Sequence, residues 1–195
     1  MNFDDYVAQS LRTERPLESV TGSTNIVWHA LEVLMIAGAL ADVMKKWLIY
    51  GSALDEKALD MVFRSLETQA GLAADAALEP MPPVELPFPP RVLHAALGAC
   101  GEAGELIQAS SRPFYEGDPG AVDGINVVEE LGDLAWYLAM GADECRRLGF
   151  VSGPADVLRA NVAKLRERYP NRFDIQRSEG RDVAAERSAM EGGSK

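Results

Sequence analysis

The chain has 195 residues, 47% of them hydrophobic and 25% charged, which suits a packed core and excludes a disordered tail. Its net charge of -11 repels a phosphate backbone and excludes sequence-independent nucleic-acid binding, while a polyphosphate stays accessible through bridging metal ions. The two cysteines, Cys100 and Cys145, have no CxxC spacing, which excludes a disulfide scaffold and a cysteine-rich zinc site and fits reduced thiols in the cytoplasm.

In chain order, the opening MNFDDYVAQSLRT carries acids early and has no apolar core, so it is not a signal peptide. Thr24 to Trp47 predicts a long helix. Its most apolar stretch, Val33 to Ala41, falls far short of the ~20 residues that span a bilayer and reads as a buried helix. Gly51 stops it, and Asp55 caps a second helix running to about Leu78. Glu79 to Pro90 then holds six of the 11 prolines and reads as a stiff, extended strap. Val92 to about Ala109 predicts a third helix, SSRPFYEGDPGA (residues 110–121) a loop, and Asp123 the cap of a helix to about Leu148. Pro154 opens a further helix that Pro170 ends, and GGSK at the end is expected to fray. Strand signals are almost absent.

The two halves are alike. WHALEVLMIAGAL (Trp28 to Leu40) lies on HAALGACGEAGEL (His94 to Leu106) with Ala30, Leu31, Ala37, Gly38 and Leu40 matching Ala96, Leu97, Ala103, Gly104 and Leu106. This predicts an all-α fold with a four-helix-bundle core from two helical hairpins, a tandem pseudo-dimer. The expected division is an N-terminal hairpin over 1–78, a linker over 79–90, a second helical repeat over 91–177 and a tail over 178–195.

Two acidic motifs carry the chemistry. Glu102 and Glu105 form ExxE in GEAGEL; Glu130 and Asp133 form ExxD in EELGDL, with Glu129 just before. Spacing of three places each pair on one side of a helix. Two such helices in an antiparallel hairpin aim four carboxylates at one spot, a set of hard oxygen donors suited to Mg²⁺ or Mn²⁺. A solvated helix face is the plainer alternative. Val127, Leu131, Leu134 and Leu138 form the apolar stripe beside Glu130, Asp133 and Tyr137, and small residues surround Glu102 and Glu105, a setting where carboxylates are costly unless paired or metal-bound. Downstream, Arg159, Lys164, Arg166, Arg168, Arg172 and Arg177 form a basic segment, with Lys164 and Arg168 on one helix face and Asn161 one turn earlier. Beside a carboxylate cluster such a face suits phosphate oxygens. His29 and His94 read as helix-end residues, Trp28, Trp47 and Trp136 as core, and Cys100 as a small core residue.

GEAGEL, EELGDLAWYLA and NVAKLRERYPNRF, in that order, resemble the MazG-like all-α nucleoside triphosphate pyrophosphohydrolases, particularly their phage-type branch, over about Arg91 to Arg177. DYVAQSLRT resembles that branch's N-terminus, and ADVMKKWLIYGSALDEKAL the segment after the family's first acidic motif. There, Ile36 and Ala39 stand where the two Glu would be, and no ExxD follows, so the first half resembles a family domain that has lost its metal site. The resemblance implies that Glu102, Glu105, Glu130 and Asp133 ligate Mg²⁺ (Mn²⁺ substituting). It implies that Glu129 is an outer carboxylate or the base for water, that Asn161, Lys164 and Arg168 meet the triphosphate, and that Tyr137 walls the nucleotide pocket. The implied reaction converts a (d)NTP, with dGTP among the candidates, to monophosphate and pyrophosphate in nucleotide-pool control. A nucleoside triphosphate is then the partner, with no nucleic acid or membrane, in a cytoplasmic homo-oligomer (dimer or tetramer). Two alternatives stand beside this: a non-catalytic helical binding or regulatory protein, and a carboxylate di-iron four-helix protein, for which the expected ExxH motifs are missing.

Overall fold

The structure, a computed structural model, describes residues 1–193. It is built almost wholly of helices, as the sequence predicts, and divides into two units: Glu18–Phe88, and Met1–Leu17 together with the chain from Pro89 onward. The N-terminal segment, expected to belong with the first hairpin, therefore belongs with the second.

In the first unit, α2 (Thr24–Leu48) and α3 (Glu56–Leu78) pack as a hairpin. Asp55 caps α3 by accepting from the Ala58 amide at 2.9 Å, and Gly51 supplies the left-handed turn between the helices at φ +70°. The proline strap contains a two-residue strand, β2 (Val84–Glu85), antiparallel to β1 (Thr21–Gly22) with Thr21 opposite Glu85. Asn25 ties the strap down: its side chain donates to the Glu79 carbonyl and accepts from the Met81 amide.

The apolar stretch of α2 is not buried as expected. No residue of α2 is fully buried; Trp28 and Met35 are each 60% exposed, and Trp47 also stands out to solvent. A single hairpin has one packing partner per helix, so an all-round apolar helix keeps one face uncovered. The helix is 25 residues long with a mean hydropathy of 1.7 over its most apolar window, so by length and composition alone it meets the requirement for a membrane span.

In the second unit, α4 (Pro90–Glu116) and α5 (Gly124–Arg147) form the main hairpin. The α1 helix (Phe3–Ser10) lies on α5, α6 is Ala155–Arg168, α7 is Ile175–Glu179, and α8 (Val183–Gly193) packs on α6. Of the end expected to fray, Gly192 and Gly193 close α8, and Ser194 and Lys195 lie outside the described residues. Asp123 caps α5 through the Asn126 amide, as expected.

The α4 helix runs two turns beyond its expected end at Ala109. Pro113 sits inside it and removes one backbone donor, yet the helix continues to Gly117, whose φ of +70° stops it. The residues expected in a loop, Ser111, Arg112, Tyr115 and Glu116, are thus helical and share the α4 surface with the acidic motif.

A buried charge network fastens the N-terminal segment to this hairpin. Arg91 donates from Nε and Nη2 to Glu14, both at 2.6 Å, and from Nη1 to Asp143 and Glu144 at 2.9 and 2.8 Å. The guanidinium fork matches the Glu14 carboxylate, so burial of these charges is matched by pairing. Trp136 donates from Nε1 to the Ser10 carbonyl at 2.9 Å, and Tyr6 from its hydroxyl to the Gly132 carbonyl. Trp136 is half-buried, whereas Cys100, expected in the core, is exposed. In the expected apolar stripe of α5, Leu131 and Leu138 are about half exposed; the buried side of that helix is instead Glu130, Ala139, Met140, Ala142 and Glu144.

Candidate active site

The helical spacing of the acidic motifs does what the sequence predicts for three of the four residues. Carboxylate oxygens of Glu102 on α4 and of Glu130 and Asp133 on α5 all lie within 4.8 Å of one another. Glu130 is buried, Glu102 half-buried and Asp133 exposed, so the group opens to solvent on one side. Burial, then the neighbouring Glu102 carboxylate and the charges of Glu105 and Glu129, push Glu130 above its ordinary carboxyl value. Like charges this close are stable together only with a proton or cation among them. An all-carboxylate donor set fits a hard divalent ion.

Glu105 stands outside that trio but close enough for its charge to act on Glu130, with which it lines a cleft. Glu129 is exposed. Tyr137 sits one turn beyond Asp133 with its ring against Gly98 and edge-on to His94 and Trp136, at centroid distances of 5.7 and 5.0 Å. His94 is thus part of an aromatic cluster, and His29 bonds Gln69 at 3.0 Å. Neither histidine is in the carboxylate group, so among the described residues the set is oxygen-only.

The basic face of α6 is differently placed from expectation. Asn161 is exposed and Lys164 half-buried, but Arg168 is already engaged. Its Nε and Nη2 donate to the two carboxylate oxygens of Glu186 on α8 at 2.7 and 2.6 Å, and Arg181 joins from the other side at 2.8 Å. Glu186 is 3% exposed. The expected tail over 178–195 did not anticipate this partner; the readable signal was the apolar spacing of Val183, Ala184 and Met190 around it.

A cleft of about 670 Å³ opens from Glu105 and Glu130 along the far end of the hairpin, walled by Gln108, Arg112, Tyr115 and Asn126. Arg112 and Tyr115 were hidden by the expected end of α4 at Ala109, whereas Gln108 and Asn126 lie inside expected helices and carry no motif. The signal that could have found them is the spacing of Gln108, Arg112 and Tyr115, which continues the helix past Pro113, with Gly117 as the stop.

Residues 92–173 match the family model of the MazG nucleotide pyrophosphohydrolase domain. No curated protein and no solved structure matches the chain. The matched segment contains all four acids of the two motifs, and members of the family are nucleoside triphosphate pyrophosphohydrolases. The match supports a MazG-like assignment of this segment, and makes the chain an enzyme, a hydrolase acting on acid anhydrides.

Proposed function

We propose that the chain hydrolyses a (d)NTP, with dGTP among its substrates, to the monophosphate and pyrophosphate at a Mg²⁺ centre held by Glu102, Glu105, Glu130 and Asp133. The observation that carries this reading is the convergence of Glu102, Glu130 and Asp133 within 4.8 Å around a buried carboxylate whose proton affinity is raised. When bound, the divalent ion would neutralise phosphate charge and acidify water.

The chain's own residues do the rest. Glu102, Glu130 and Asp133 would hold the ion, and their placement on two packed helices needs no reorganisation. Glu129, next to Glu130 on the exposed side, takes the proton of the attacking water. Asn161 and Lys164 meet phosphate oxygens from α6. Arg168 joins them by exchanging the Glu186 carboxylate for a phosphate, a swap of one oxyanion for another in the same fork. Tyr137 holds the wall next to Asp133.

The first hairpin is a phage-type family repeat that has lost its metal site. Ile36 and Ala39 occupy the positions that would hold the acids and offer no oxygen. Its role is to pack: the exposed Trp28, Met35 and Trp47 support a bundle closed within a homo-oligomer, a dimer or tetramer, in the cytoplasm. The activity serves nucleotide-pool control.

Replacement of Asp133 by Asn tests the assignment. Turnover with Mg²⁺ should fall at least a hundredfold while circular dichroism stays unchanged, since a transition-state electrostatic partner is worth roughly 10²–10³ in rate. Near-full activity in a folded Asp133→Asn protein would place the site elsewhere.

A further inference from the structure

We infer that the cleft beyond the carboxylates selects a guanine base, read by Arg112 and Glu116 side by side on the last turns of α4. The inference rests on the reading of Glu102, Glu130 and Asp133 as the triphosphate end of the site, and it adds where the base lies and which base is preferred.

Glu105 and Glu130 line the cleft, so a nucleotide with its phosphates at the carboxylates has the cleft beside it. Its volume of about 670 Å³ is within the roughly 300–1,000 Å³ of small-molecule sites. Four features then bear on the base. Tyr115 is 79% exposed, with its ring held edge-on by Phe114 at 5.3 Å, so it offers a flat, unoccupied face for stacking. Arg112 gives its Nε to Glu116 at 3.1 Å and faces Asp123 at 3.7 Å, which sets the plane of the guanidinium fork. Gln108, one turn before Arg112, adds an amide with both a donor and an acceptor. Among the residues that line the cleft, Arg112 is the single cation.

A guanidinium next to a carboxylate is a two-part code. Guanine presents two acceptors together, O6 and N7, and beside them two donors, N1–H and the N2 amino group. Arg112 donates to the first pair and Glu116 accepts from the second. Adenine reverses the central atoms: its N6 amino group faces Arg112 and its bare N1 faces Glu116, so both partners meet their own kind. Uracil and thymine offer one acceptor and one donor of the right sense but lack the second of each. Bidentate pairs of this type discriminate by roughly tenfold to a hundredfold each.

The test has two arms on the full chain. In the first, calorimetry measures binding of dGMP and dAMP, which requires no turnover. In the second, kcat/KM is measured with Mg²⁺ for dGTP, dITP and dATP. Wild type should favour guanine over adenine at least tenfold in both arms, with dITP, which lacks the N2 amino group, in between. Arg112→Ala should lose at least tenfold on the guanine nucleotide and change the adenine nucleotide less than about twofold. Glu116→Gln should erase the difference between dGTP and dITP. If the folded variants keep wild-type selectivity, or wild type has none, the cleft assignment is overturned. If no nucleotide is hydrolysed yet dGMP binds selectively through Arg112, the base site stands and the catalytic reading fails.

Discussion

Tyr137 lies so close on Gly98 that a β-carbon at residue 98 would stand 2.0 Å from the ring. This contact joins α4 to α5 one turn from Glu102 on one helix and one turn from Asp133 on the other, so it sets the helix separation at which the carboxylates meet. Gly98→Ala must displace the ring or part the helices. Overpacking of this kind costs about 1–3 kcal/mol. Thermal unfolding of the variant should show a lower Tm and a weaker response to Mg²⁺. A Tm within a degree of wild type would mean that the ring has room to move and the helix spacing is not set here.

Mg²⁺ or Mn²⁺ should raise the Tm, because the ion binds the folded carboxylate group and not the unfolded chain. At a hundred times Kd the linkage is worth about 2.7 kcal/mol. Glu130→Gln removes the buried charge at the centre of the cluster. Its metal-free Tm should be no lower than wild type, and its Mg²⁺-induced shift should vanish. A full shift in that variant would show that the ion binds away from the cluster.

The α8 latch has a defined pH dependence. Hydrogen bonds from Arg168 and then Arg181 lower the Glu186 carboxyl from its usual 4.5 to about 2. A carboxyl depressed in the folded state stabilises above its unfolded value and loses that contribution as pH falls through its folded value. The difference in Tm between wild type and Glu186→Gln should therefore be full at pH 7 and shrink between about pH 4.5 and 2. If Arg168 also serves the triphosphate, Glu186→Gln lowers KM for the nucleotide at pH 7. A pH-independent Tm difference would show that the pairing does not stabilise the fold.

The uncovered face of α2 bears on assembly. Trp28 and Met35 are each 60% exposed, and an apolar surface of that kind is stable in water when something covers it. Wild type should sediment as a dimer or tetramer, and Met35→Glu should shift it to the monomer without changing its helix content. A monomeric wild type would refute the bundle reading, and recovery with the membrane fraction would assign α2 to a bilayer.

What was legible in the sequence follows the strength of the local signal. Asp55 and Asp123 cap the helices they were expected to cap because their side chains meet the third amide of each helix. Spacing of three likewise placed Glu130 and Asp133 on one side of α5, where the hairpin brings Glu102 of α4 to them. The end of α4 was not legible because Pro113 resembles a breaker, while the glycine that stops the helix lies four residues on. The exposure of α2 was hidden because hydrophobicity reports the wish to be covered, not the presence of a cover. The Arg168–Glu186 pair joins residues 18 positions apart on different helices; the apolar spacing of Val183, Ala184 and Met190 marks the helix that carries Glu186 but not its partner.

The most direct test of the central claim is the identity of the products. Wild type with Mg²⁺ and dGTP, separated by ion-exchange chromatography, should give dGMP and pyrophosphate in equal amounts, because attack falls on the α-phosphorus. The formation of dGDP and orthophosphate, or the absence of turnover with every nucleotide triphosphate, would contradict it.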